Sequence, residues 1–170
     1  MDYQAEISKL SLTLNKLYPK YKKIYATAES LTAGLIASSI VNTPGSSDYF
    51  DRGFITYSNE AKIELLDVSE SDLQKEGAVS EIVARQMAKG ALKNSHADFS
   101  VAVTGIAGPG GGSDEKPVGT VWFSLASIDG KIYSKREIFP GNRDDVRDKT
   151  VIFALRSLIN ITKGLDPFSV

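Results

Sequence analysis

An acid and a hydroxyl stand side by side at Glu29-Ser30, inside the stretch TAESLTAGL that runs from Thr27 to Leu35. A serine there has two chemistries open to it. It can cap a helix by accepting N–H groups of the first turn, or it can be a nucleophile whose base comes from elsewhere in the chain. The usual nucleophile contexts do not match: GxSxG is absent, and Ala33 at the third position after Ser30 excludes SxxK. The chain contains no cysteine, which removes thiolate nucleophiles, disulfides and thiolate metal sites together. Its single histidine, His96, forbids a multi-histidine metal site within one chain and is all that a Ser-His-Asp triad would have to draw on. The setting KNSHADFS reads as the polar end of a helix before a strand, a surface or capping position. A hydrolase built on this sequence would therefore take its base from a lysine or a carboxylate.

Two further segments carry polar residues to the ends of strand-like runs. TYSNEAKIELL places Tyr57 at a strand end, Asn59 as the expected helix cap, and Lys62 five residues after Tyr57, in the first or second turn of the helix that follows. Lys62 is either a solvated surface lysine or a base, and the second requires burial or nearby cations to lower its pKa by several units. TGIAGPGGGSDEKPVGT packs five glycines between Gly105 and Gly112. It is neither a P-loop nor a dinucleotide fingerprint, since GxxxxGK[ST] and GxGxxG both fail and a strand follows. It is either a flexible connector or a loop whose N–H groups approach an anion closely.

The elements that must position these segments alternate along the chain. Residues 4–18 carry Ile7, Leu10, Leu14 and Leu17 at three-to-four spacing, which predicts an amphipathic helix. Ile24 to Ala28 is an apolar run, Leu31 to Val41 reads as a helix rich in small residues, and Asn42 to Ser47 is a loop. That reading sets Ser30 at a helix N-terminus, where orphan N–H groups favour developing negative charge. Gly53 to Tyr57 reads as a strand before a polar helix. Ser80 caps a helix with Val83, Met87 and Ala91 on one face, and Phe99 to Thr104 is a strand ending at the glycine loop. Two strands, 120–127 and 131–139, flank the Asp129-Gly130 signal of a tight hairpin with positive φ at both central positions. Asn142 with Asp145 starts a last helix that runs to about Lys163. The pattern predicts one three-layer α/β domain over 1–170, with a mostly parallel sheet and a late antiparallel hairpin. In such sheets sites gather at the carboxyl ends of strands, where all three polar segments fall. A net charge of −1 gives no global attraction to nucleic acid. No run is long enough to span a membrane, the N-terminus lacks the basic-then-apolar order of a signal peptide, and the expected location is cytoplasmic.

Taken together, TAESLTAGLIASSIVNTPGSSDYFDRGFITYSNEAK, GAVSEIVARQMAKGAL and DFSVAVTGIAGPGGG…KPVGTVWFSLA resemble the C-terminal domain of competence/damage-inducible protein CinA, over residues 5–163. Stand-alone members of that family are nicotinamide-nucleotide amidases. The resemblance implies hydrolysis of the carboxamide of nicotinamide mononucleotide to nicotinate mononucleotide and ammonia. It implies Ser30 as nucleophile, Tyr57 and Lys62 as its catalytic partners, and a site lined by Thr104, Gly105, Gly108, Gly110 and Gly111, with Arg143 near the substrate. Glu29 and Thr32 fall in the same motif. For Glu29 the alternatives are bonding neighbouring backbone, holding Lys62, or facing the pyridinium ring, with an orienting role favoured over a catalytic one. Candidate oxyanion donors are the helix N-terminus after Ser30 and N–H groups near Thr104-Gly105. No metal and no cofactor is implied, and a homo-oligomer is. Many members read ESCTGG where this chain has Leu31 and Ala33. Two alternatives keep the fold: a non-catalytic nucleotide- or partner-binding member, expected to lack the serine or lysine, and an amidase for another small carboxamide.

Overall fold

The periodicities of the sequence resolve into six α-helices and five strands in a computed structural model that describes residues 2–169. Helix α1 (Tyr3–Tyr21) is started by the Asp2 carboxylate, which accepts the Ala5 N–H, and stopped by Lys22 in the left-handed conformation. Ile7 and Leu14 on its inner face are buried, with Leu10 and Leu17 packed beside them, as the spacing predicts. Strand β1 (Tyr25–Glu29) is buried throughout, which fits its central place in the sheet. Helix α2 (Leu35–Val41) follows a tight turn, and β2 (Phe50–Ile55) begins and ends earlier than the run 53–57 predicted. The shift follows from pairing with β1, which holds Phe50 through Ile55.

Helix α3 (Asn59–Leu66) is capped by Ser58, whose hydroxyl accepts the Ala61 N–H, so the expected cap Asn59 is instead the first helical residue. A short helix α4 (Glu70–Glu76) was not anticipated, although its Ser69 cap accepts the Asp72 N–H as a capping serine does. Helix α5 (Glu81–Lys93) starts at the Ser80 cap as expected. Strands β3 (Phe99–Gly105), β4 (Thr120–Ser127) and β5 (Ile132–Ile138) lead to α6 (Arg143–Thr162), which opens with a full capping box between Asn142 and Asp145. The sheet order is β2-β1-β3-β4-β5. The first three strands run parallel and the last two pair antiparallel, so the pairings divide evenly between the two kinds.

Helices α1, α2 and α6 cover one face of the sheet and α3, α4 and α5 the other, which gives three layers and two apolar cores. At the β4–β5 turn Gly130 alone has positive φ, and its N–H bonds the Ser127 carbonyl. Asp129 keeps negative φ there, so the turn needs one left-handed residue rather than two. Phe123 of β4 lies in the core against Phe139 and Phe153, whereas Trp122 is half-buried on the opposite face. Among the described residues no helix is long and apolar enough to cross a membrane.

One glycine decides how closely α5 approaches α3. A Cβ on Gly90 would sit 2.1 Å from the Leu66 carbonyl oxygen, a backbone atom that cannot swing aside. Glycine to alanine within a helix normally stabilises by about 1 kcal/mol. Here Gly90→Ala is expected to destabilise instead, by about 2–3 kcal/mol, read as a lower denaturant midpoint with unchanged slope.

Candidate active site

Sheet register brings the polar segments to one level. The Ser30 N–H donates to the Val103 carbonyl at 3.1 Å, and the Thr56 N–H donates to the Glu29 carbonyl at 2.9 Å. Ser30, Thr56 and Thr104 therefore leave the carboxyl ends of β1, β2 and β3 side by side, where an open α/β sheet gathers its chemistry.

Lys62, four residues after the Ser58 cap, reaches back into this cluster with only 1% of its surface exposed. Its Nζ lies 3.0 Å from Ser30 Oγ, 2.8 Å from the Thr56 carbonyl oxygen and 3.1 Å from the Tyr57 carbonyl oxygen. A neutral amine has two N–H donors and one lone pair. The two carbonyls can take both donors, which leaves the lone pair directed at the serine hydroxyl. Burial pushes the Lys62 pKa down from 10.5 to about 8. Roughly a tenth of the molecules then carry the neutral amine at pH 7. The arrangement can deprotonate a hydroxyl.

Glu29 is not part of that arrangement. Its Oε2 accepts the Thr32 hydroxyl at 2.7 Å and the N–H groups of Gly34 and Ile36 at 3.0 and 3.1 Å, while Oε1 accepts the Ala37 N–H at 2.8 Å. Of the readings open for Glu29, the structure holds the bonding to neighbouring backbone. The buried carboxylate caps α2, which begins at Leu35 rather than at Leu31 because Ala33 and Gly34 turn the chain with φ of 48° and 95°. The N–H groups of Gly34, Ile36 and Ala37 are thus occupied, and the helix start expected at Leu31 lies four residues later. Thr32 is buried and spends its hydroxyl on Glu29, so its side chain is not available as a substrate contact.

A cavity of about 280 Å³ opens over Ser30 and Lys62, lined also by Leu31, Tyr57, Asn59, Thr104, Gly105 and Arg143. Thr104 and Gly105 are at the wall as expected, and the Thr104 hydroxyl donates to the Ala78 carbonyl at 2.8 Å, holding the 78–79 segment beside the cavity. Gly108 stands behind the wall, its carbonyl accepting Arg143 Nη1 at 2.8 Å, while Gly110 and Gly111 are exposed and do not line it. Tyr57 touches Lys62 through its main-chain carbonyl. The residue is 63% exposed, and its phenol makes no hydrogen bond among the described residues. His96 is exposed beside Asp51 and Arg52, far in role from any triad. A larger cavity of about 640 Å³ shares Val79 with this one, but its charged walls, Glu76, Glu81 and Glu115 against Arg85, Lys116 and Arg136, surround no nucleophile–base pair.

Sequence reasoning missed Asn59 as a lining residue, because its position suggested a cap. It also missed Arg147 of α6, whose Nε and Nη2 donate to the Leu31 and Thr32 carbonyls at 3.0 and 3.3 Å. The available signal was its place one turn after Arg143 on the same helix.

Residues 7–162 match the family model of the CinA C-terminal domain. The chain is 47% identical over 154 residues to nicotinamide-nucleotide amidohydrolase PncC of Escherichia coli (strain K12), covering 91% of this chain and 93% of that protein. It is 54% identical over 132 residues to nicotinamide-nucleotide amidohydrolase PncC of Enterobacter agglomerans, covering 78% and 80%. The crystal structure of competence/damage inducible protein CihA from Agrobacterium tumefaciens superposes with a TM-score of 0.88 at 44% identity, covering 91% and 94% of the two chains.

Two outcomes follow from the buried charges. Glu29→Gln replaces an acceptor oxygen by an amide that faces N–H groups, and is expected to lower the unfolding free energy by about 2–3 kcal/mol in urea titration. Lys62 binds its proton more weakly in the folded chain than in the unfolded one, so its contribution to stability grows as pH rises from about 8 to 10.5. Measured against Lys62→Met, the wild type should gain about 3 kcal/mol across that window; a difference that stays flat with pH would contradict the lowered pKa.

Proposed function

The chain belongs to the CinA C-terminal domain family, and on that footing we propose that it is an amidohydrolase converting nicotinamide mononucleotide to nicotinate mononucleotide and ammonia, working in the cytoplasm as a homo-oligomer. The observation that carries this reading is the buried Lys62 amine 3.0 Å from Ser30 Oγ, with two carbonyls and, among the described residues, no carboxylate as its other partners. The relatives' names supply the substrate.

Lys62 takes the proton of Ser30 as Oγ bonds to the carboxamide carbon and the carbonyl electrons move to oxygen. The tetrahedral intermediate reforms its C=O and expels nitrogen, which receives the proton back from Lys62 and leaves as ammonia. Lys62 next deprotonates a water, which attacks the Ser30 ester. The second intermediate expels Oγ, Lys62 returns the proton to it, and the acid product is released. One water is consumed and one ammonia formed, and no proton is left over.

The cavity lies at the small end of the range for ligand pockets. It suits the nicotinamide ring, with the ribose phosphate leading outward over Arg143. The N–H groups of Arg143 beyond Nη1 make no hydrogen bond among the described residues and point to a phosphate partner at the mouth. The exposed Tyr57 side chain offers a ring face to the cationic pyridinium.

Incubation with nicotinamide mononucleotide should release ammonia stoichiometrically with nicotinate mononucleotide. Ser30→Ala and Lys62→Ala should each lose at least about a thousand-fold in kcat/KM. In the wild type kcat/KM should rise with pH through an apparent pKa near 8, because only the neutral amine accepts a proton. No ammonia from the wild type refutes the substrate assignment, and turnover that survives Ser30→Ala refutes the nucleophile.

A further inference from the structure

Every backbone N–H from Ser30 to Ser38 has a partner except two. Ser30 donates to Val103, Ala33 to Ser30, Leu35 to Thr32 and Ser38 to Gly34, all at carbonyl oxygens, while Gly34, Ile36 and Ala37 donate to Glu29. The N–H groups of Leu31 and Thr32 find no acceptor among the described residues, yet Leu31 is 4% exposed and Thr32 fully buried. Buried N–H groups without a partner are rare in native proteins and call for an explanation. These two follow the serine directly in the chain, and Leu31 lines the same cavity.

The carbonyls of Ser30, Leu31 and Thr32 are all held. The Ser30 carbonyl accepts the Ala33 N–H, and those of Leu31 and Thr32 accept the Arg147 guanidinium. A trans peptide sets its C=O and N–H on opposite sides. Holding the Ser30 carbonyl therefore aims the Leu31 N–H the other way, and holding the Leu31 carbonyl aims the Thr32 N–H away from Arg147. A cation on a peptide carbonyl also polarises that peptide, which strengthens its N–H as a donor. Arg147 meets the two carbonyls with separate nitrogens of one rigid fork, Nε and Nη2, whereas a lysine would meet them from a single nitrogen on a flexible stem.

We propose that the N–H groups of Leu31 and Thr32 receive the carboxamide oxygen as it becomes an oxyanion, and that Arg147 is the positioning residue that aims the Thr32 N–H and fixes the turn carrying both. The proposal rests on the amidohydrolase reading for the reaction, but its donors can be tested without the substrate. Pyridine-3-boronic acid adds its boron to an activated serine oxygen and places a boronate oxygen where the oxyanion would form. On 15N-labelled protein the adduct at Ser30 should move the Leu31 and Thr32 amide protons downfield. Arg147→Met should lower kcat by about ten-fold or more with KM held within about two-fold, and Arg147→Lys should recover part of the loss. Unmoved amide protons in the presence of the adduct overturn the proposal, and so does an unchanged kcat in Arg147→Met. A raised KM with a lowered melting temperature overturns it too, since that is the mark of a merely structural arginine. Downfield shifts without ammonia release from nicotinamide mononucleotide support the donors while refuting the substrate; no adduct at Ser30 removes both.

Discussion

The rest of the site depends on a lysine amine held out of water with no carboxylate bonded to it among the described residues. Desolvation lowers the proton affinity of Lys62, and an acid within bonding distance would restore it. Its hydrogen-bond partners are two main-chain carbonyls and a hydroxyl, polar enough to satisfy the nitrogen and too weak to fix it as a cation. The secondary structure sets this geometry. Thr56 is tied to β1 through the Glu29 carbonyl, and Ser58 starts α3 so that Lys62 falls one turn into the helix, facing inward. A register slip in β2 or a helix begun one residue later would move the amine off the serine.

Glu29 explains how an acid can sit next to the nucleophile without disturbing that balance. Both of its oxygens are taken by the Thr32 hydroxyl and by N–H groups between Gly34 and Ala37. The buried carboxylate is satisfied where it stands, and the only resolved cause of the shift at Lys62 is burial. The two ionisable groups flanking Ser30 are thus kept apart by a helix cap. The arrangement separates a structural charge from a chemical one within one turn of chain.

Much of the fold was legible. The α1 stripe, the β4 limits and the Asn142–Asp145 capping box follow from local spacing and cap chemistry, and the structure matches them closely. The start of α2 was not legible, because Leu31 and Ala33 favour a helix and the turn depends on Ala33 adopting φ of 48°, which alanine does at a cost. Nor could spacing pair Ser30 with Lys62, whose contact is made by parallel pairing of β1 with β2. The family resemblance supplied that pairing, and the structure adds its burial and its carbonyl partners. The glycine loop was only partly readable: Thr104 and Gly105 reach the cavity, while Gly110 and Gly111 turn outward. Composition says that such a loop can approach a ligand but not which of its residues does.

The two departures from the ESCTGG pattern acquire physical meaning in this turn. Leu31 is buried against the core and also lines the cavity, so the larger side chain fills wall space between the nucleophile and α6. Ala33 occupies the left-handed region where glycine would be unstrained, at roughly 1–2 kcal/mol for the L-residue. The turn nonetheless keeps its shape, because the Ala33 N–H bonds the Ser30 carbonyl, Glu29 holds its far side, and Arg147 holds the Leu31 and Thr32 carbonyls. Strain at one residue is offset by bonds that converge from β1 and α6. The loop that carries the nucleophile is therefore held by contacts remote in sequence rather than by its own conformational preference, and substitutions at 31 and 33 change its packing while leaving its hydrogen-bond frame in place.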